Sequence, residues 1–171
     1  MALIERYHVV AAERAVASGE TIKEGQIVSL DTSGEVVLQC ATYTTPYGIA
    51  GDTKSTSASS MPGIVTGWQN RASDYFDETK ASGKMTVYHS GGEFATDQFS
   101  SNVSSATIGV ALYANSGLLC TAAESTTSGV VARLIKAAGT YPSGVPGVDL
   151  NGDQALGGDN SNTYIEIKLS I

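Results

Sequence analysis

Short apolar runs separated by clusters of Ser, Gly, Asn and Asp recur along this chain about every ten residues, a spacing that restricts it to an all-β architecture built from hairpins. Gln26-Ile27-Val28-Ser29-Leu30 is followed by the turn cluster Asp31-Thr32-Ser33-Gly34 and the return run Glu35-Val36-Val37-Leu38-Gln39-Cys40. Two β-branched runs joined in this way predict a β-hairpin. Tyr47-Gly48-Ile49-Ala50-Gly51 is a third short apolar segment. Lys84-Met85-Thr86-Val87-Tyr88-His89 alternates, with Met85, Val87 and His89 on one face and Thr86 and Tyr88 on the other. Ser90-Gly91-Gly92 then leads into Glu93-Phe94-Ala95-Thr96, which predicts a second hairpin. The strand expected from Thr107 to Tyr113 turns at Ala114-Asn115-Ser116-Gly117 and returns through Leu118-Leu119-Cys120-Thr121. Val130 to Lys136 is another apolar run, and Tyr164 to Ile171 alternates strictly, as expected of a terminal strand tied into a sheet. The expected fold is therefore mainly β, a compact β-sandwich or barrel of short hairpins.

Three stretches depart from this pattern. Residues 1–24 hold Glu5, Arg6, Glu13, Arg14, Glu20, Lys23 and Glu24, and their apolar positions Val9, Val10, Ala12 and Val16 fit a helix and a strand equally, so they are read as an N-terminal surface arm. Residues 52–60 are Ser/Thr-rich and suit an exposed loop; a strand at Gly63-Ile64-Val65-Thr66-Gly67-Trp68 and a polar stretch from Ala72 to Lys80 are expected after it. Residues 139–163 are rich in Gly, Pro, Asn and Asp and show no periodicity; a loop of that length in a compact domain is usually functional or mobile. The expected organisation is an arm over 1–24 and a single β-rich domain over 25–171, with its long loop at 139–163 and its closing strand at 164–171. A chain of 171 residues suits one domain and can bury a core without a metal or disulfide staple.

Charge narrows the partners. Only 16% of the residues are charged and the formal net charge is −7, which argues against nucleic acid, because phosphate recognition needs clustered Lys and Arg. No apolar run approaches the ~20 residues of a membrane-spanning helix, so no membrane is expected as partner. The opening MALIERYHVV meets Glu5 and Arg6 before an apolar leader core can form, so no secretory leader is expected.

The residues able to do chemistry are few. Cys40 and Cys120 lie in apolar runs without a CxxC spacing and are read as small hydrophobes on strands; spacing leaves open whether they pair. Asp149-Leu150-Asn151-Gly152-Asp153 starts like a calcium loop, but Gln154 and Asn160 stand where glycine and a bidentate glutamate are required, and an Asx-turn loop accounts for the run. His89 with Ser90 and Glu93 raises the question of a Ser-His-acid set, yet no GxSxG elbow accompanies it. His8 has no neighbouring ligand-type residue, and Asp74, Asp77 and Glu78 would serve glycoside hydrolysis only across a cleft, solvated loop acids being the simpler reading. Trp68, Tyr75 and Phe76 fit a contact surface or core packing equally. No catalytic, cofactor-binding or metal-binding residue is assigned, no cofactor is expected, and the chain is expected not to be an enzyme.

The run Glu24-Gly25-Gln26-Ile27-Val28-Ser29-Leu30-Asp31, its return Val36-Val37-Leu38, the segment Tyr47-Gly48-Ile49-Ala50-Gly51, and Ile108-Gly109-Val110-Ala111-Leu112-Tyr113 with Gly117-Leu118-Leu119 resemble tailed-bacteriophage head decoration (capsid cement) proteins. The resemblance implies a small β-rich structural protein of the virion, commonly a homotrimer, made in the host cytoplasm. Such a protein binds the outer surface of the expanded capsid at three-fold or quasi-three-fold positions and clamps neighbouring major capsid subunits. It carries no catalytic residues across. On that expectation the arm, or the loop at 139–163, would supply contacts outside the β core. A receptor- or glycan-binding tail fibre or baseplate module is the alternative, and a hydrolase on a β-sandwich scaffold is a third class.

Overall fold

The computed structural model describes residues 4–5, 9–54, 83–140 and 163–171. Over these the protein is mainly β, with two antiparallel sheets. The first contains β1 (Ile4–Glu5), β7 (Glu93–Thr96), β8 (Ala111–Asn115), β9 (Leu118–Cys120), β10 (Ala132–Thr140) and β11 (Thr163–Leu169), in the order β1-β7-β11-β10-β8-β9. The second contains β2 (Val9–Ala15), β3 (Ile27–Leu30), β4 (Val36–Leu38), β5 (Gly48–Ala50) and β6 (Lys84–Gly91), in the order β2-β6-β5-β3-β4.

The second sheet curls into a half-barrel. Val16, the residue after edge strand β2, bridges Val36 in the opposite edge strand β4, and the Ala17 N–H donates to the Val36 carbonyl at 3.0 Å. Inside the curl lie Val16, Ile22, Val28, Val36, Ala50, Met85 and Val87. A second core holds Phe94, Leu112, Leu119, Leu134, Ile165 and Ile167 of the six-stranded sheet, together with Ile27 and Ile49 of the half-barrel. Successive residues of one strand thus serve different cores: Ile27 one and Val28 the other, Ile49 one and Ala50 the other. Strands covered on both faces read as continuous apolar runs, which is why Ile27-Val28 and Gly48-Ile49-Ala50 show no polar alternation and are buried throughout.

Two of the expected hairpins are present. β3 pairs with β4 and β8 with β9, the latter through a turn at Ser116 and Gly117 with φ of 51° and 78°. Positive φ at both central positions is the two-residue geometry that follows the twist of the flanking strands. The strand expected from Thr107 begins only at Ala111, because 107–110 form a turn of their own, closed from the Val110 N–H to the Thr107 carbonyl at 3.1 Å.

The expected hairpin over 84–96 is corrected. β6 pairs with β2 and β5, whereas β7 pairs with β1 and β11, so the two lie in different sheets. Gly91 (φ 68°) is still paired with Val9, while the Gly92 (φ 88°) carbonyl accepts from the Leu169 N–H at 3.1 Å. The glycine pair carries the chain from one sheet to the other.

The expected arm over 1–24 is corrected in the same way. β1 pairs with β7, β2 pairs with β6 over Val9–Ala15, and Val16 and Ile22 belong to the half-barrel core. Glu13 and Arg14 are exposed because β2 is an edge strand, where charge protects an open ladder. At the other end, Gly139 and Thr140 extend β10 opposite Tyr164 and Thr163, so the ladder runs two residues into the expected loop. The rest of that loop, the strand expected at 63–68 and the polar stretch at 72–80 lie outside the described residues.

A side chain at Gly48 has no room: its Cβ would stand 2.5 Å from Val87 Cγ1 and 2.6 Å from the Tyr88 carbonyl oxygen, and the latter is backbone. Gly129 has nothing within 4 Å. Gly48→Ala is therefore expected to destabilise the fold by about 2–3 kcal/mol and Gly129→Ala to change it by less than about 1 kcal/mol, measured by urea unfolding.

Candidate functional site

The residues with chemical potential are dispersed. His89 on β6 stacks on Tyr47, with ring centroids 5.4 Å apart and planes at 22°. Arg14 of β2 lies over the same tyrosine ring, 5.4 Å from its centroid, and its Nε donates to the Tyr47 hydroxyl at 3.1 Å. Tyr47 in turn packs against the half-barrel core. Arg14, Tyr47 and His89 thus form one packed group from β2, the approach to β5, and β6. This cation-aromatic packing suits a structural role for His89. Ser90 and Glu93 do not extend it into a triad: Ser90 is the next residue on β6, whereas Glu93 lies in the other sheet, opposite Lys168 on β11.

Both cysteines are free. Cys40 is half-buried just beyond β4, off the strand where it was expected, and Cys120 is buried at the end of β9. Burial pushes the Cys120 thiol up to about 11, with the Glu124 carboxylate adding to the shift, so the reactive thiolate is disfavoured. His8, Asp74, Asp77, Glu78, Trp68, Tyr75, Phe76 and the 149–160 run lie outside the described residues. Among the described residues no three His, Cys, Asp or Glu side chains are grouped to hold a metal ion, and no helix is long and apolar enough to cross a membrane.

Two polar residues hold positions that local sequence does not reveal. Gln39 is fully buried; its Nε2 donates to Thr126 Oγ1 at 2.9 Å and to the Cys40 carbonyl at 3.3 Å, and its Oε1 accepts from the Gly117 N–H at 3.4 Å. It ties the end of β4 to the β8–β9 turn and to the loop before β10. Its only sequence signal is a polar residue following Val36-Val37-Leu38, which reads equally as a strand end.

Glu24 lies in the segment that runs beside 50–54. The Ile22 and Lys54 backbones exchange hydrogen bonds of 2.9 and 2.7 Å, the Gly25 N–H donates to the Ala50 carbonyl, and the Glu24 N–H donates to Thr53 Oγ1 at 3.1 Å. The side chain is only part-exposed. Burial pushes its carboxyl from the ordinary 4.5 up to about 7, and the Asp52 and Asp97 carboxylates push in the same direction.

No family model matches this chain, and no curated protein matches it either.

The Glu24 shift has a signed consequence. Between about 4.5 and about 7 the folded chain holds a proton that the unfolded chain has released, so this group's contribution makes stability fall as pH rises through that window and level off above it. Allowing for partial solvent access, the loss is about 2 kcal/mol. Glu24→Gln is expected to abolish this component. Urea unfolding of both proteins from pH 4.5 to 8 should show the variant gaining on the wild type by about that amount at the upper end.

Proposed function

We propose that this protein is a structural component of a phage virion that binds the outer surface of the capsid and stabilises it by clamping neighbouring major capsid subunits, acting as a homotrimer. What supports this reading beyond the sequence resemblance is how the described body holds the residues that flank 55–82 and 141–162. Residues 55–82 leave after Lys54 and return at Gly83, and both ends are fixed beside Val16: the Val16 N–H donates to the Gly83 carbonyl at 3.1 Å, and Lys54 Nζ donates to the Ala17 carbonyl at 2.7 Å. Residues 141–162 leave from Thr140 and return at Thr163, which are paired across the β10–β11 ladder. Stems held this closely keep the flanks of both segments on one body, and on a lattice many modest contacts repeated by symmetry supply the affinity.

Electron microscopy of the virion is the direct test. Density for this chain on the head lattice is the expected result. Density found only in the tail overturns the reading in favour of a fibre or baseplate module. A second expectation concerns the stem at Thr140 and Thr163. Replacing residues 141–162 by Asn-Gly, which closes a two-residue hairpin between these paired threonines, should leave the melting temperature within about 5 °C and weaken binding to purified capsid shells.

A further inference from the structure

Ile22 and Ile27 are both fully buried, but in different cores: Ile22 lies inside the half-barrel and Ile27 between the two sheets. The residues between them make one tight turn. The Gln26 N–H donates to the Lys23 carbonyl at 3.1 Å, the Lys23 N–H donates to Gln26 Oε1 at 2.8 Å, and Gly25 at the third position has φ 85°, which glycine adopts without strain. Glu24 is therefore carried on a short turn with an apolar anchor at each end.

This turn is bonded to both sheets. Toward the half-barrel, the Glu24 N–H donates to Thr53 Oγ1 at 3.1 Å, the Gly25 N–H to the Ala50 carbonyl at 2.8 Å, and the Ala50 N–H to the Gln26 carbonyl at 2.9 Å. Toward the six-stranded sheet, the hydroxyl of Thr96, the buried last residue of β7, donates to the Gly25 carbonyl at 3.5 Å. Both sides bring a carboxylate. Asp52 precedes Thr53, and its Oδ2 accepts from the Thr86 N–H at 2.6 Å; Asp97 follows Thr96, and its Oδ1 accepts from Gln98 Nε2 at 2.6 Å. The Glu24 carboxyl, by contrast, has no hydrogen-bond donor among the described residues. A part-buried carboxylate without a donor, with two others beside it, is penalised in its charged form only. Burial acts on it most strongly; the α-amino group of the chain opposes that effect, and Asp52 and Asp97 reinforce it.

We propose that the 23–26 turn is a proton-controlled clasp between the two sheets, seated while Glu24 is neutral and released when it ionises, with Ile22 and Ile27 holding the chain on either side. Release gives up the bonds to Ala50, Thr53 and Thr96 and lets the carboxylate reach water, while both cores stay covered. It is a local opening, distinct from global unfolding. The seated turn keeps its proton up to about 7 and the released turn loses it near the ordinary 4.5, so the released population grows with pH between these values and levels off above them. The clasp belongs to the fold and does not depend on the capsid-binding reading.

The test is amide hydrogen exchange of the full-length protein by NMR at pH 6 and pH 8, corrected for the intrinsic pH dependence of exchange. Wild type, Glu24→Gln and Asp97→Asn are compared. In the wild type the Gly25 and Ala50 amides should lose about tenfold in protection between the two pH values, while Ile22, Lys54, Ile165 and Ile167 keep theirs. In Glu24→Gln the Gly25 and Ala50 amides should be equally protected at both. Asp97→Asn retains an Oδ1 acceptor for Gln98 but removes one charge, so it should shrink the tenfold change. A parallel loss at Ile22, Lys54, Ile165 and Ile167 overturns the clasp, since the whole fold would then be responding. An unchanged wild type, or the same pH dependence in Glu24→Gln, also overturns it. The carboxyl 13C shift of Glu24 in the wild type gives a reading that needs no variant: titration near 7 is expected, and titration near 4.5 overturns the proposal.

Discussion

The architecture depends on one constraint: the central strands of the half-barrel are shared between two cores. Ile27 and Ile49 face the six-stranded sheet, and their chain neighbours Val28 and Ala50 face the interior of the curl. Val87 and Tyr88 on β6 divide in the same way, Val87 into the half-barrel and Tyr88 against the inter-sheet core, where its ring lies 5.3 Å from that of Phe94. Full burial of an Ile or Val side chain contributes roughly 2 kcal/mol, so each of these short strands contributes to both cores at once. Neither sheet can move away without uncovering the outer face of the other. Close approach completes the arrangement at Gly48, where a Cβ would collide with β6.

The joint is fixed in register by polar contacts as well as by apolar area. The Ile27 N–H donates to the Gly117 carbonyl at 2.8 Å, and the Gln39 side chain accepts from the Gly117 N–H. Gly117 itself lies so near Leu38 that a Cβ would come within 2.5 Å of its Cδ1. The tip of the β8–β9 hairpin thus lies against β3 and β4 with its backbone groups satisfied. A buried amide such as Gln39 costs free energy when any of its partners is lost, which makes it an alignment device: a shifted packing of the two sheets would break its bonds to Thr126 and Gly117. The Ser128 N–H bond to the Thr44 carbonyl, at 3.1 Å, pins the same joint from the loop side.

Much of this was legible in the sequence, and the parts that were not share a physical cause. The β3–β4 and β8–β9 hairpins and the closing strand were readable because turn chemistry and alternation act within a dozen residues. The division into two sheets was not. Gly91-Gly92 permits the backbone of a tight hairpin turn, and only the more distant partners Val9 and Leu169 decide that it is a crossover. The charged opening stretch was read as an arm because an edge strand such as β2 has few buried positions to impose a period, so Glu13 and Arg14 resemble the residues of a free segment. Gln39 and Glu24 gave no local signal, since their burial is produced by chain far away in sequence. Ile108 was placed in a strand by its apolar neighbours, whereas the positive φ of Gly109 bends it out into solvent.

The same distribution bears on how such a molecule could act. Among the described residues the apolar side chains are largely committed to the two cores, and charged residues make up only 16% of the chain. A surface of this kind cannot gain much affinity from general electrostatics, because exposed ion pairs contribute only ~0–1 kcal/mol each and are screened by salt. Affinity for a partner then has to come from a few fixed anchors and from repetition of the same contact by symmetry. The joint between the sheets serves the first, since it holds the 107–110 turn and the stems at Lys54–Gly83 and Thr140–Thr163 on one body. The second would follow from a symmetric partner lattice. On such a lattice a contact too weak to hold a single copy becomes adequate once several copies are engaged together, so the scarcity of strong surface chemistry in this chain is compatible with tight attachment.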